Sequence, residues 1–185
     1  QPIPNPPPAH QPESTQEPTP VLDLESAPEF EAQRLKLVSP TNKVRGSEKA
    51  DKLRGTDESD LITGKRGNDT LIGSKGDDLL HGARGKDSLQ GSTGNDYLNG
   101  SQSNDILNGG KGADVFQISR GIDIVEDFSI DQGDKIVLDS KGTYTIINDT
   151  NGVLIVATAK KQLLLEDVEI DEILAAGSEL FIQLA

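Results

Sequence analysis

The chain contains no cysteine, methionine or tryptophan, and aromatic residues occupy only 3% of its 185 positions. The absence of cysteine excludes disulfide bonds and thiolate metal sites. No stretch approaches the roughly 20 apolar residues of a membrane-spanning helix, and the residues after Gln1 lack the apolar run of a cleaved signal peptide. The 31 acidic residues outnumber the 18 basic ones, giving a formal net charge of −13. We therefore expect no membrane span and no nucleic-acid partner.

Proline is missing from most of the chain, because all ten prolines lie before Gly46 and eight of them lie between Pro2 and Pro20. Residues 1–20 have too little apolar surface to offset the entropy lost on ordering, which predicts a disordered proline-rich tail. Residues 21–45 are predicted to be a linker or docking segment. Within them, Val21 to Val38 carries enough apolar side chains to pack on whatever follows.

From Gly46 to Gln117 the sequence repeats every nine residues, eight times and without an insertion. Position 1 of every unit is glycine, and position 4 is glycine in five units. Position 8 is always large and apolar: Leu53, Ile62, Leu71, Leu80, Leu89, Leu98, Leu107 and Phe116. Position 6 is always aspartate: Asp51, Asp60, Asp69, Asp78, Asp87, Asp96, Asp105 and Asp114.

One large apolar residue in nine fills neither a helix face nor an alternating strand, but it suits a flattened solenoid of tight turns and very short strands. Two units would make one coil, so that units n and n+2 stack at the spacing of paired strands, about 4.8 Å. The predicted fold is all-β: a parallel β-roll over residues 46–117, closed by a C-terminal β cap over residues 118–185.

This stacking places the position 6 aspartates in two columns of four. Neighbouring carboxylates about 5 Å apart repel by roughly 3 kcal/mol at an effective dielectric constant near 20. Divalent cations between successive coils would relieve the repulsion, and oxygen-only ligands on flexible loops favour Ca²⁺ over Mg²⁺. Aspartate also suits ordinary turns, but a turn role alone would admit asparagine and serine at position 6. Three gaps per column predict several Ca²⁺ ions, at most about six, which would bring the net charge to about −1.

Units such as GKRGNDTLI, GSTGNDYLN and GGKGADVFQ resemble the haemolysin-type, or RTX, calcium-binding repeat GGxGxDxUx. The resemblance implies a parallel β-roll that holds Ca²⁺ between its loops, with each position 6 aspartate supplying a side-chain ligand. It also implies export by the type I secretion machinery, and hence an extracellular location. The sequence after the repeats, through ADVFQISRGIDIVEDFSIDQGDKIVLD, is more loosely similar to the segment that follows the repeats in secreted members.

Two departures from the family pattern bear on the sites. Position 2 is glycine only at Gly110, and position 4 is Lys49, Glu58 and Ser103 in units one, two and seven. Distorted loops there would affect sites that use Asp51, Asp60 and Asp105. Basic residues also crowd the middle loops, either to recognise an anionic glycan or, as we favour, to balance the aspartates: Lys65, Arg66, Lys75, Arg84 and Lys86.

Residues after Gln117 alternate as ordinary strands separated by turns, with a short helix expected over residues 167–176. A cap is needed because Phe116 would otherwise face water at the open end of the roll. The run Glu179-Leu180-Phe181-Ile182 resembles an uncleaved C-terminal secretion signal, and it also suits a final strand of the cap.

Position 7 should point away from the core. In the even-numbered units it is apolar, which predicts a stripe on one side of the roll: Leu61, Leu79, Tyr97 and Val115. We expect Val21 to Val38, the C-terminal cap or a second copy of the protein to cover this stripe, the last by self-association.

The only histidines, His10 and His81, have no sequence pattern of nucleophile and base beside them, so we expect no catalytic activity. The sequence indicates a secreted calcium-binding β-roll that folds on binding Ca²⁺ outside the cell. The alternative is the C-terminal calcium-binding and secretion module of a larger extracellular enzyme, such as a protease, lipase or polysaccharide-modifying enzyme.

Overall fold

The computed structural model describes residues 40–138, 144–158 and 160–183. The predicted tail (residues 1–20) and most of the predicted linker, including Val21 to Val38, lie outside these residues. The described residues form a parallel β-solenoid of about five turns with one short helix, which confirms the predicted fold class. Its strands are β1 (Asn42–Arg45), β2 (Lys52–Arg54), β3 (Asp60–Arg66), β4 (Thr70–Lys75), β5 (Leu79–Arg84), β6 (Ser88–Thr93), β7 (Tyr97–Gln102), β8 (Ile106–Lys111), β9 (Val115–Gln117), β10 (Gly121–Val125), β11 (Lys135–Leu138), β12 (Thr145–Asp149), β13 (Gly152–Thr158), β14 (Lys161–Glu166) and β15 (Phe181–Gln183). The helix is α1 (Ile170–Ala176), and a 3₁₀ turn (Gly177–Leu180) follows it.

Successive strands alternate between two facing sheets. Among the described residues, sheet A has the order β1-β3-β5-β7-β9-β11-β15 and sheet B the order β12-β13-β14-β10-β8-β6-β4-β2. Within the repeats, neighbours in each sheet are parallel, and each residue pairs with its equivalent two units further on, as Ile62 pairs with Leu80 and Leu71 with Leu89. Two nine-residue units therefore make one coil, as the sequence predicts.

The position 8 side chains form the interior of the roll. From unit two onward they are fully buried between the sheets, whereas Leu53 of unit one is partly buried at the end. Outward positions 7 and 9 flank each of them, because successive side chains of a strand point to opposite faces. Truncating one of these buried leucines to alanine would cost about 2–5 kcal/mol.

The cap continues the roll before it changes direction. Strands β10 and β11 pair in parallel with β8 and β9, so the parallel ladder runs beyond Gln117, just as β1 precedes Gly46. Strand β14 pairs in parallel with β10, and β13 and β12 then add in antiparallel fashion, with a turn at Asn151-Gly152 between β12 and β13. The cap encloses Phe116, whose ring packs against Phe128 with centroids 5.9 Å apart.

Helix α1 begins at Ile170, three residues later than the predicted start. Glu169 at its N-cap has an extended backbone (φ −88°, ψ 140°), and Gly177 ends the helix at a positive φ. Ile173 on the inner side of the helix joins the core that the roll and cap share. None of the described helices is long and apolar enough to cross a membrane.

Candidate metal centre

The position 6 aspartates form two hydrogen-bonded columns. In each column, the backbone N–H of one aspartate donates to Oδ1 of the aspartate one coil further on, for example from Asp69 to Asp87 at 2.8 Å and from Asp78 to Asp96 at 2.7 Å. The first column contains Asp51, Asp69, Asp87 and Asp105, and the second contains Asp60, Asp78, Asp96 and Asp114. The predicted stacking thus brings all eight residues into two rows along the loops, with all but the partly exposed Asp51 buried.

Both columns extend by one residue that the sequence analysis missed. Asp105 N–H donates to Oδ1 of Asp123 at 3.1 Å, and Asp114 N–H donates to Oδ1 of Asp134 at 2.9 Å. Asp123 keeps the nine-residue frame, with Val125 buried at the next position 8, so extending the frame without its leading glycine would have found it. Asp134 lies later in the chain than the repeat would place it, and the short insertion before it hides it from any fixed period.

The central aspartates differ from those at the ends of the columns in the hydrogen bonding of their second carboxylate oxygen, Oδ2. In the described residues, six buried carboxylate oxygens have no hydrogen-bond partner: Oδ1 of Asp60 and Oδ2 of Asp69, Asp78, Asp87, Asp96 and Asp105. A buried polar atom without a partner costs about 1–3 kcal/mol, and more when it is charged. These oxygens therefore fit a ligand that supplies positive charge.

Carbonyl oxygens accompany these carboxylates. The space beside the Cα of Gly64 holds both Oδ2 of Asp69 and the carbonyl oxygen of Gly82 from the next coil, and a Cβ there would overlap them. The same pair of oxygens surrounds the position 1 glycines of units four and six, Gly73 and Gly91. Glycine at position 1 therefore keeps open a small space lined by oxygen.

No group of three or more acidic or histidine side chains converges on one point in the described residues. A metal ion here would take carboxylates together with main-chain carbonyls. Such an oxygen-only set suits Ca²⁺, which accepts six to eight oxygen ligands in flexible geometry, and not Zn²⁺, which prefers nitrogen and sulfur.

The first two units have a different loop. In unit one, Ser47 donates from its backbone N–H (2.6 Å) and its Oγ (2.8 Å) to Oδ2 of Asp51. In unit two, Thr56 donates to Oδ2 of Asp60 in the same way, at 2.6 and 3.0 Å. Units three to eight instead have a positive φ at position 2, which the described backbone does not have at Ser47 or Thr56. Protein donors thus occupy Oδ2 at the start of each column.

The last member of each column is also satisfied by the protein. Ser119 donates from Oγ to Oδ2 of Asp123 at 2.5 Å, and the backbone N–H of Ser129 donates to Oδ2 of Asp134 at 2.8 Å. Asp123 and Asp134 therefore end the columns without presenting an unpartnered oxygen.

Burial changes the acidity of the central carboxyls in the metal-free fold. It raises the pKa of Asp96 and of Asp105 to about 8 and that of Asp78 to about 7, and neighbouring carboxylates add to the effect. At Asp51, the hydrogen bonds from Ser47 lower the pKa instead. A bound divalent cation would favour the ionised form of the buried groups.

The basic residues of the loops lie on the surface. Arg66 Nε lies 3.3 Å from Glu48 Oε2, and Lys75 Nζ lies 2.6 Å from Asp57 Oδ2, with both pairs well exposed. Each pair joins position 3 of successive coils. The acidic partners are surface carboxylates and not the position 6 aspartates, so the charge-balancing role stays a prediction. Exposed pairs of this kind contribute little to stability.

Part of the chain also matches a known protein family. Residues 54–89 and 81–116 each match the family model of the RTX calcium-binding nonapeptide repeat, which describes four copies. No curated protein matches the chain.

Two solved structures are similar to the chain. The solution structure of the AlgE6R3 subunit of the Azotobacter vinelandii mannuronan C5-epimerase has 25% identity and a TM-score of 0.41, and the match covers 74% of this chain and 80% of that one. The crystal structure of the extracellular lipase LipA from Serratia marcescens has 14% identity and a TM-score of 0.39, over 77% of this chain and 40% of the lipase. Both TM-scores lie below 0.5, so the fold described above rests on its own hydrogen-bond registers. The family match and the aspartate columns together confirm the predicted resemblance: residues 54–116 are RTX calcium-binding nonapeptide repeats.

Proposed function

We propose that the chain is a secreted, non-catalytic calcium-binding module whose roll folds when Ca²⁺ binds outside the cell. The observation that supports this most directly is the set of unpartnered, buried carboxylate oxygens along the two columns. In a metal-free fold these oxygens would be desolvated without compensation, whereas a cation between coils would neutralise them. The Ca²⁺ supplies the missing positive charge, and the chain supplies the oxygen ligands.

We assign the ligand role to the eight position 6 aspartates, with those of units three to seven as the principal ligands. Their Oδ2 atoms accept no hydrogen bond from the protein, whereas Oδ2 of Asp51 accepts from Ser47 and Oδ2 of Asp60 accepts from Thr56. The number of ions stays at most about six, because Ser119 and Ser129 occupy the second oxygens of Asp123 and Asp134.

Calcium-dependent folding would suit export by a type I pathway. Where Ca²⁺ is scarce, repulsion along the columns keeps the repeats unfolded. Where Ca²⁺ is plentiful, each site that binds only the folded state adds RT ln(1 + [Ca²⁺]/Kd) to stability. The segment around Leu180 and Phe181 would serve as the export signal before it folds against β11 as the last strand of sheet A.

The alternative, a C-terminal module of a larger extracellular enzyme, involves the same calcium chemistry. It differs in what the gene encodes before Gln1, so the upstream coding sequence distinguishes the two.

The test combines isothermal titration of Ca²⁺ with far-ultraviolet circular dichroism of the full chain. We expect a coil spectrum in EGTA, strand signal in millimolar Ca²⁺ and a weaker response to the same concentration of Mg²⁺, which requires a stricter octahedral geometry. Equal strand content in EGTA and in Ca²⁺ would contradict the proposal.

A further inference from the structure

The two long edges of the roll differ in their charge. The outward stripe of sheet A offers little accessible surface, since Leu79, Tyr97 and Val115 are buried. The loops of the odd-numbered units lead from sheet A to sheet B along one edge, and those of the even-numbered units return from sheet B to sheet A along the other. Each loop contains positions 2 to 5 of its unit, so charged side chains at these positions form two separate rows.

One of these rows is almost entirely basic. At positions 2 to 5 of the odd-numbered units, including residues 118–126, which continue the nine-residue frame, the single acidic side chain is Glu48. Five of the six basic side chains at these positions are exposed, and Lys65 is half-buried. We call this row the basic edge: Lys49, Lys65, Arg66, Arg84, Lys86 and Arg120.

The opposite edge has no such excess of positive charge. Positions 2 to 5 of the even-numbered units contain three acidic and two basic side chains: Asp57, Glu58, Asp77, Lys75 and Lys111. Each edge nevertheless lies over a column of four position 6 aspartates. If the basic residues only balanced these aspartates, the two edges would need them equally. Balance therefore does not account for the basic edge.

The strand register arranges the basic edge as a ladder. Arg66 of β3 pairs with Arg84 of β5, Arg84 pairs with Gln102 of β7, and Gln102 forms an isolated parallel bridge with Arg120. Successive rungs are about 4.8 Å apart, so the row from Arg66 to Arg120 is about 14 Å long. A small anion would meet one rung, whereas an extended anionic chain would meet several at once.

Most of these cations have no acidic partner. Arg66 contacts Glu48, whereas Arg84, Lys86 and Arg120 form no ion pair with any described residue. Beyond Arg120 the row approaches the cap, where the pKa of Lys161 is lowered by burial and by the positive charge of Arg120. Like charges held together at a surface attract a ligand of opposite charge.

Amide groups lie between the cations of the basic edge. Asn68 Oδ1 accepts a hydrogen bond from the backbone N–H of Lys86 at 2.9 Å, and Asn104 Oδ1 accepts one from that of Ile122 at 3.1 Å. Neither Nδ2 donates a hydrogen bond within the described part of the chain. Such donors suit the hydroxyl groups of a sugar. A single-stranded nucleic acid would require aromatic side chains for stacking, and positions 2 to 5 of the odd-numbered units contain none.

We propose that the basic edge binds a linear acidic polysaccharide, with Arg84 and Lys86 at the centre of the binding surface. A guanidinium group can hold a carboxylate through two parallel hydrogen bonds, and an ammonium group adds a point charge. The inference rests on the proposed function, because Ca²⁺ bound along the first column would neutralise the aspartates beneath this edge. The edge would then keep its positive charge although the chain as a whole is acidic.

The test is isothermal titration of the calcium-loaded full chain with short dextran sulfate, and uncharged dextran is the ligand control. Arg84→Gln combined with Lys86→Gln removes two positive charges from the basic edge. Lys75→Gln combined with Lys111→Gln removes the same charge from the opposite edge and is the matched control. We expect the affinity to fall more than about tenfold in the first double variant and less than about threefold in the second, because only the first loses direct contacts. Binding should also weaken as salt is added.

Four outcomes would overturn the proposal. A folded, calcium-loaded parent chain might bind no dextran sulfate, or bind uncharged dextran equally well. Equal losses in the two double variants would show attraction to net charge alone, and tighter binding of single-stranded DNA than of dextran sulfate would assign the edge to nucleic acid. Circular dichroism and calcium titration of the same samples report folding and calcium binding separately, so a failure of the proposed function is distinguishable.

A second measurement leaves the chain unaltered. On addition of dextran sulfate, the amide signals of Gly85 and Lys86 on the basic edge should shift, whereas those of Gly76 and Gly94 on the opposite edge should not. Shifts confined to the opposite edge, or equal on both edges, would contradict the assignment.

Discussion

The same repeat position has opposite environments at the start and in the middle of the roll. Asp51 accepts two hydrogen bonds from Ser47, which lower its pKa. Asp96 is buried with an unpartnered oxygen, and its pKa rises to about 8. Two residues that match the repeat pattern equally well therefore differ in their need for a cation.

Position 4 of the repeat accounts for much of this difference. The central glycines adopt a φ between +94° and +136°, and Ser103 of unit seven follows them at +91°. Lys49 and Glu58 occupy position 4 in units one and two and have no positive φ in the described backbone. In these two units the loop backbone has a different conformation, and the N–H of position 2 donates to the carboxylate of the position 6 aspartate. The residue at position 2 does not decide the matter, since Ser74 and Ser92 have a positive φ where Ser47 does not.

The largest expected effect concerns the central loops. In Gly85→Ala, the new Cβ would overlap the carbonyl of Gly67 in the preceding coil, at a φ of +126°. We expect a loss of more than about 4 kcal/mol, or failure to fold, because the overlapped atoms belong to the backbone of a paired coil and cannot move aside as a flexible side chain could. Gly177→Ala is the control, since it also has a positive φ but no atom within 4 Å; it should cost about 1–3 kcal/mol, the backbone strain alone. Urea unfolding in Ca²⁺ measures the free energy of unfolding of both variants. Similar losses would show that the close stacking of the loops does not determine the cost of Gly85→Ala.

The second prediction compares one aspartate from each environment. Asp87→Asn removes a carboxylate whose Oδ2 has no protein donor, whereas Asp51→Asn alters one that Ser47 already serves. We expect calcium affinity to fall more than about tenfold for Asp87→Asn and less than about threefold for Asp51→Asn, as charged ligands set affinity in such sites. Isothermal titration provides the values. Equal losses would contradict both the stacking register and the distinction between end and centre.

The third prediction concerns pH in the absence of calcium. In the unfolded chain these carboxyls have the ordinary aspartate pKa of about 3.8, whereas burial in the metal-free roll raises the pKa of Asp96 and of Asp105 to about 8. The folded roll therefore binds more protons between these pH values, and its stability should fall as pH rises through the window. Circular dichroism in EGTA from pH 8 down to pH 4 measures this change: strand signal that is absent near neutral pH should appear as the carboxyls protonate, and Asp96→Asn should make it appear at a higher pH. A metal-free roll that becomes more stable toward pH 8 would refute the assignment.

The smallest expected effect lies at the start of the second column. Thr56→Val keeps the shape of the side chain but removes the hydroxyl that donates to Asp60 at 3.0 Å, which should cost about 1 kcal/mol. Ser92→Ala, at the same repeat position in a central unit, should change the free energy of unfolding by less than about 0.5 kcal/mol. Denaturant titration of both variants in Ca²⁺ tests whether the position 2 hydroxyl stabilises the loop only in the end units. A larger loss for Ser92→Ala than for Thr56→Val would show that central units depend on it as well.

The repeat made most of the roll predictable. A strict period fixes which residues stack, so the interior leucines, the two aspartate columns and the outward stripe could all be read from the sequence. The cap was harder, because its strands were recognisable but the parallel pairing of β10 and β11 depends on contacts between distant residues. Asp134 was missed for the same reason, since only the folded backbone shows how the insertion is absorbed. The hydrogen bonds from Ser47 to Asp51 depend on the backbone φ of Ser47. The residue type at position 2 does not predict that φ.

The order of the strands leaves β1 and β2 as the outermost strands at the start of the roll, each with one side unpaired among the described strands. Such edges are templates for pairing with other chains, and a stack of coils with a fixed period would extend readily into a filament. Four of the seven residues in these two strands are basic, and all four side chains are exposed: Lys43, Arg45, Lys52 and Arg54. Two such ends brought together would place like charges opposite one another at every second residue. The roll thus begins with a barrier to head-to-head pairing of two such ends.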